Sequence, residues 1–314
     1  MVMTRRIVAA LLALGVAAGG GAGCARPGTG GFVDGRLAVT TAFYPLQFLA
    51  ERIGGPDVTV AQLTKPGAEP HDVELNPRQV AGIVDAGLVV YLAGFQPAVD
   101  RAVAQEAPDT AFDVGAGVDL LPLDEHEHGH EAPGEEHEGA AGGLDPHLWL
   151  DPVRYSAVAG ALGERLVRAD PAHAAGYTAR AAALRTDLGA LNAAYAGALH
   201  TCTRRELVTS HAAFNYLAHR YDLTEVGITG ISPDAEPSPQ RLAEVAKEAR
   251  ETGTTTIFFE TLVSPKVADT IAREVGARTA VLDPIEGLTE PGTDYFTVMR
   301  ANLDALVTAL GCTA

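Results

Sequence analysis

The sequence predicts an α/β protein of two lobes, each a mostly parallel sheet flanked by helices, with one long rigid helix joining them. Three observations carry that prediction. Short apolar runs alternate with helix-length segments in both halves of the chain, as buried parallel strands covered on both faces do. Leu184, Leu188, Leu191, Tyr195 and Leu199 recur at three- and four-residue spacing and mark one amphipathic helix between those halves. The length of 314 residues exceeds one average domain, with a prior of about two.

From the N-terminus, Arg5 and Arg6 precede the apolar run Ile7 to Ala18, which is too short to span a bilayer comfortably and leads into small residues. Residues 1–23 therefore read as an export signal. Gly19 to Gly23 ends in Cys24, which is similar to a bacterial lipoprotein cleavage site whose thiol becomes the lipidated first residue. Gly21 departs from the bulky aliphatic usual there, and ordinary cleavage nearby is the alternative. The mature protein is then expected outside the cytosol, anchored to the cell membrane through Cys24, with residues 24–35 as a Gly-rich tether.

An N-terminal lobe is expected over 36–172, with strands at Leu37–Ala42, Val58–Leu63 and Leu88–Leu92 and helices at Tyr44–Ile53 and Pro77–Ala86, the latter opened by Pro at its first position. Within it, 124–143 contains no aliphatic larger than Ala and cannot bury enough surface to order itself, so it reads as a loop. The linking helix is expected over 173–199 and the C-terminal lobe over 200–314. Its strands fall at Leu207–Thr209, Glu225–Ile228, Thr255–Phe259 and Thr279–Leu282. Its helices fall near Ala212–Tyr221, Pro239–Glu251, Pro265–Val275 and through Phe296 to Leu310.

Composition narrows the function. Hydrophobic residues at 47% and charged residues at 20% argue against wholesale disorder and against a multi-spanning membrane protein. The net charge of −17 becomes −19 without Arg5 and Arg6 and repels phosphate backbones, so nucleic acid is disfavoured. Carboxylates in surplus with ten histidines suit cations instead. Cys202 and Cys312, an even pair in an oxidising compartment, favour a disulfide worth roughly 4 kcal/mol in the chain-entropy model; two separate buried thiols are the alternative.

Outside the loop, three histidines stand where a strand or loop hands over to the next element: Glu69-Pro-His71-Asp, Leu144-Asp-Pro-His147-Leu-Trp, and Thr209-Ser-His211-Ala. Binding groups in α/β folds gather at the carboxyl ends of strands. A single such histidine is more often a hydrogen-bonded structural residue than a ligand, but the recurrence in both lobes invites a shared metal. Leu282-Asp283-Pro-Ile-Glu286 ends the last apolar strand with two carboxylates in reach of the same rim. Three imidazoles and one carboxylate make a closed four-coordinate set suited to Zn²⁺.

In this order and spacing, PGAEPHDVEL, DPHLWLDP, TSHAAFNYLAHRYDL and LDPIEGLT resemble the zinc-binding solute-binding proteins of bacterial ABC uptake systems, a class with zinc and manganese branches. The likeness covers nearly all of the mature chain. It implies a metal held between two α/β lobes by His71, His147, His211 and a carboxylate at Asp283 or Glu286, with Glu286 closer to the zinc pattern. Manganese-type relatives tend to carry Glu where His211 stands, so zinc is favoured over Mn²⁺. The resemblance also implies a monomeric, non-enzymatic carrier that delivers zinc to an ABC permease in the membrane. His126, His128, His130 and His137 in the acidic loop would form a weak secondary zinc trap, or a solvated stretch that chelates incidentally. His126-Glu-His-Gly-His130 matches the metalloprotease pattern H-E-x-x-H, but Gly129, Pro133 and Gly134 deny it the helix that chemistry needs. An adhesin of the same fold and a secreted zinc hydrolase are the rival readings.

Overall fold

The computed structural model describes residues 30–123, 143–290 and 292–313. The export segment, Cys24, and the loop histidines His126, His128, His130 and His137 lie outside them. The first sheet is built from β1 (Phe32–Val33), β2 (Arg36–Thr41), β3 (Val58–Gln62), β4 (Leu88–Tyr91) and β5 (Ala111–Asp113). β2 to β5 are parallel, and β1 folds back antiparallel on β2 with Phe32 opposite Leu37. The end of the expected tether thus belongs to the sheet. Asp34 and Gly35 at φ 51 and 77 reverse the chain tightly. Gly31 then lies so close to Gly87 that a Cβ on it would sit 2.2 Å from the Gly87 Cα.

β3 and β4 pair with opposite edges of β2, so the connections leave β2 in two directions and open a crevice at its carboxyl end. Helices α1 (Tyr44–Gly54), α2 (Pro77–Val84) and α3 (Pro97–Glu106) connect these strands. Asn76 and Gln79 cap α2 reciprocally, which explains its abrupt start. α3 and β5 add to the elements expected from the sequence; Pro97 in the first helical turn is the local signal for α3.

The Ala-rich segment is two helices, α4 (Pro152–Ala169) and α5 (Ala174–Leu199), broken at Asp170-Pro171 because Pro has no N–H and its ring disfavours a preceding helical residue. They run antiparallel, with Gly163 against Ala181 and Gly160 against Arg185. α5 grips both halves. Arg180 donates to the Ile53 and Gly54 carbonyls at 2.6 and 2.7 Å, and Tyr195 donates to the Met299 carbonyl at 2.6 Å.

The second sheet is β6 (Glu206–Thr209), β7 (Thr224–Gly227), β8 (Thr256–Phe259) and β9 (Arg278–Val281), parallel in the order β7-β6-β8-β9. Its helices are α6 (Asn215–Arg220), α7 (Pro239–Glu251), α8 (Lys266–Val275) and α9 (Tyr295–Leu310). The Cys202–Cys312 disulfide ties the α5–β6 connection to the end of α9. A satellite core containing Val208, Val245, Ile257 and Ile271 lies under this sheet. The larger core is continuous across the lobes, running from Phe43 and Leu49 through Trp149 and Leu188 to Phe214, Ile285 and Tyr295. Parting the lobes would expose that surface to water, which the hydrophobic effect opposes. Among the described residues no helix is long and apolar enough to cross a membrane.

Candidate metal centre

The rims of the two sheets face each other, and four side chains meet between them. His71 leaves the segment between β3 and α2, and His147 ends the segment that follows β5. His211 stands just past β6, the strand at which the second sheet's order reverses, and Glu286 follows β9. The Glu286 Oε1 lies 3.1 Å from the His71 Nε2, 3.0 Å from the His147 Nε2 and 3.4 Å from the His211 Nε2. One donor atom from each of the four falls within 4.8 Å of all the others. His147, His211 and Glu286 are buried; the His71 side chain, at 8% exposed, is the one with an opening to solvent. The His211 Nε2 and Glu286 Oε2 are buried without a hydrogen-bond partner. Native interiors rarely leave such atoms unpaired, and a cation between these groups would satisfy both.

Each position has a local cause. The Asp145 carboxylate accepts both the His147 backbone N–H at 2.9 Å and its Nδ1–H at 2.8 Å. Glu260, at the end of β8, accepts the His211 Nδ1–H at 2.7 Å and the Ser210 hydroxyl at 3.0 Å. A carboxylate on Nδ1 fixes the tautomer that presents the Nε2 lone pair to a metal. Half-buried Glu225 on β7 takes the Ala213 and Phe214 N–H groups and the Thr209 hydroxyl, clamping the turn that carries His211; desolvation of its carboxylate pushes its pKa up to about 7. Gln96 donates to the Thr64 hydroxyl and the Pro70 carbonyl, steadying the His71 segment, and Phe95 packs edge-on against the His71 ring at 4.7 Å.

Asp283 lies outside the cluster. Its Oδ1 accepts the Ile285 N–H at 2.7 Å and its Oδ2 the Thr261 hydroxyl at 2.7 Å, so it orients no imidazole. It holds a strained turn instead. Ile285 sits at φ 61, a left-handed conformation that a β-branched residue resists, and the turn aims Glu286 inward. Trp149 Nε1 pins the same turn by donating to the Pro284 carbonyl at 2.7 Å. Asp145 and Glu260, the carboxylates that orient these imidazoles, are not among the site residues the sequence predicts. Asp145 stands two residues before His147, and Glu260 directly follows an apolar strand, which is the signal that would have found it.

The charges are strongly coupled. Burial opposes charge on Glu286, but the three imidazoles outweigh it and hold the carboxyl well below its usual range. Burial likewise opposes charge on His147 and His211. The Asp145 and Glu286 partners nevertheless raise His147 to about 9, and Glu260 and Glu286 raise His211 well above its ordinary value. For His147 the geometry agrees, since an imidazole hydrogen-bonded to a carboxylate at each nitrogen must carry two protons. His71 faces a carboxylate on one ring nitrogen, and burial lowers it. Glu69, which accepts the His71 backbone N–H at 2.8 Å, is raised to about 8 by burial and by Glu286.

A family model described as zinc-uptake complex component A, periplasmic, matches residues 39–309 of the chain. The zinc-binding protein AdcA of Streptococcus pyogenes serotype M3 is 38% identical over 287 residues, covering 87% of this chain and 56% of that protein. The chain therefore spans little more than half the length of that relative. The high-affinity zinc uptake system protein ZnuA of Bacillus subtilis is 34% identical over 300 residues, covering 92% of this chain and 93% of the relative. Among solved structures, the Zn(II)-bound ZnuA-like domain of Streptococcus pneumoniae AdcA aligns with TM-score 0.74 and 34% identity, over 88% of this chain and 99% of that one.

Proposed function

Because this chain belongs to the family of the periplasmic zinc-uptake component A, we propose that it captures Zn²⁺ outside the cytosol and hands it to an ABC permease. The observation that carries the proposal is the buried cluster of His71, His147, His211 and Glu286, with two groups from each lobe. Three imidazoles and one carboxylate match the tetrahedral preference of zinc, whereas Mn²⁺ favours oxygen-rich sites. Four protein ligands leave no position for a catalytic water, which supports a carrier over a hydrolase. Glu286 is the fourth ligand in this reading, and Asp283 shapes its turn. The names of the relatives, a zinc-binding protein and a high-affinity zinc uptake protein, support the same cargo. Lipidation at Cys24, and weak capture of zinc by His126, His128, His130 and His137, belong to the proposal and rest on the sequence. So does action as a monomer.

Titration of the purified mature chain with Zn²⁺, followed by competition with Mn²⁺, tests this. One tight zinc equivalent that Mn²⁺ does not displace is expected. No tight equivalent, or preference for Mn²⁺, would overturn it.

A further inference from the structure

The two segments that carry His147 and His211 are bound to each other through α6, the helix of 6 residues that follows the His211 turn. We propose that α6 is a latch and that Tyr216 and Arg220 are positioning residues, which hold His147 and His211 in register across the lobes and so set how fast zinc leaves. This rests on the zinc-carrier reading above.

The Asp151 carboxylate, with its side chain 0% exposed, closes the N-terminal lobe's half of the latch. It caps α4 by accepting the Val153 N–H at 2.9 Å and takes Arg154 Nη1 at 2.7 Å. From the other lobe, Arg220 Nε reaches both of its oxygens at 3.0 Å and Nη2 reaches Oδ2 at 2.7 Å. A planar guanidinium held by several such bonds fixes orientation as well as distance, which a lysine ammonium does not. Without Arg220 the buried Asp151 carboxylate keeps Arg154 alone, within its own lobe, and the bond across the boundary is lost.

Tyr216 makes the second attachment. Its hydroxyl donates to the Asp145 carbonyl at 2.7 Å and accepts the Leu121 N–H at 3.0 Å. Asp145 is the residue whose carboxylate orients His147, so the hydroxyl holds the backbone of that orienting group. The Arg154 guanidinium lies over the Tyr216 ring at 5.1 Å and joins the two attachments. Asn215 adds a bond to the Pro122 carbonyl at 3.2 Å. Glu286 is also cross-linked, since its turn is pinned by Trp149. The segment of His71 is held by Gln96 within its own lobe. Three of the four groups are therefore tied across the boundary, and loosening α6 frees His211 and His147 to separate.

The test follows zinc loss from the loaded full chain into excess chelator, for wild type, Tyr216→Phe, Arg220→Gln and Arg220→Lys, alongside zinc stoichiometry and melting of the zinc-free forms. Tyr216→Phe and Arg220→Gln are expected to keep one zinc equivalent and to release it about tenfold faster, the weight of one lost hydrogen-bonded attachment. Arg220→Lys should fall between Arg220→Gln and wild type. Release at the wild-type rate in Tyr216→Phe and Arg220→Gln, with lower melting as the sole change, would reduce α6 to a structural brace and overturn the proposal. Should an Arg220 variant fail to fold, Tyr216→Phe decides alone, because it removes one oxygen. A wild type that holds no tight zinc would refute the carrier reading instead, so the two failures are distinguishable.

Discussion

Proton release on zinc binding is the sharpest consequence of the site. His147 carries Asp145 on Nδ1 and Glu286 on Nε2, and His211 lies between Glu260 on Nδ1 and Glu286 on the Nε2 side. His147, raised to about 9, is imidazolium at pH 7.5; Glu260 and Glu286 push His211 in the same direction, while burial lowers His71. Zinc needs a free Nε2 on each, so binding should expel the His147 proton and whatever charge His211 carries, one proton or more in all. The apparent Kd should then weaken about tenfold or more for each unit of acidification between roughly pH 8 and 7. The sign for stability is opposite. A histidine raised in the folded state stabilises fully below its unfolded value near ~6.5, and that contribution fades as pH rises through the folded value. For His147, a rise from 6.5 to about 9 corresponds to about 3 kcal/mol. Zinc-free protein should therefore lose stability from pH 6.5 to 9, and the melting shift produced by zinc should grow over the same range. Titration calorimetry at pH 7.5 in two buffers of different ionisation enthalpy counts the protons. Glu260→Gln should lower the count by removing the carboxylate partner of His211. Heat independent of buffer in the wild type would refute the reasoning.

Substituting His71, His147, His211 or Glu286 by Ala should weaken tight zinc binding by about a hundredfold or more, whereas exposed His219→Ala leaves it unchanged and Asp283→Ala falls between them; competition against a chromophoric chelator ranks them. Deleting residues 125–138 should preserve one tight zinc equivalent and remove any weaker ones, since ordering a loop around a metal costs conformational entropy; titration before and after deletion checks it. Replacing Cys202 and Cys312 by Ser should remove roughly 4 kcal/mol, lowering Tm by several degrees in a melting scan without altering zinc stoichiometry. Small-angle scattering of the loop-deleted chain should give nearly the same radius with and without zinc, because α5 and the continuous core bind the lobes together; a clear contraction would contradict this.

The sequence by itself determined the α/β alternation, the amphipathic stripe on α5 and the three histidines that converge, because periodicity and local setting are carried by neighbours in the chain. It also exposed both carboxylates near β9. The break at Pro171 and the helix at Pro97 were legible in principle, since proline restricts its own neighbourhood. That Glu286 and not Asp283 lies among the histidines was not legible in the sequence, for it depends on Ile285 taking a left-handed conformation that its side chain disfavours and that Thr261, Asn302 and Trp149 enforce from distant segments. The same holds for Asp145, Glu260 and the α6 latch. Each acts through contacts between side chains and backbone groups that the fold brings together, and the protonation of His147 and His211 follows from carboxylates on both sides of each ring, a relation no local pattern contains.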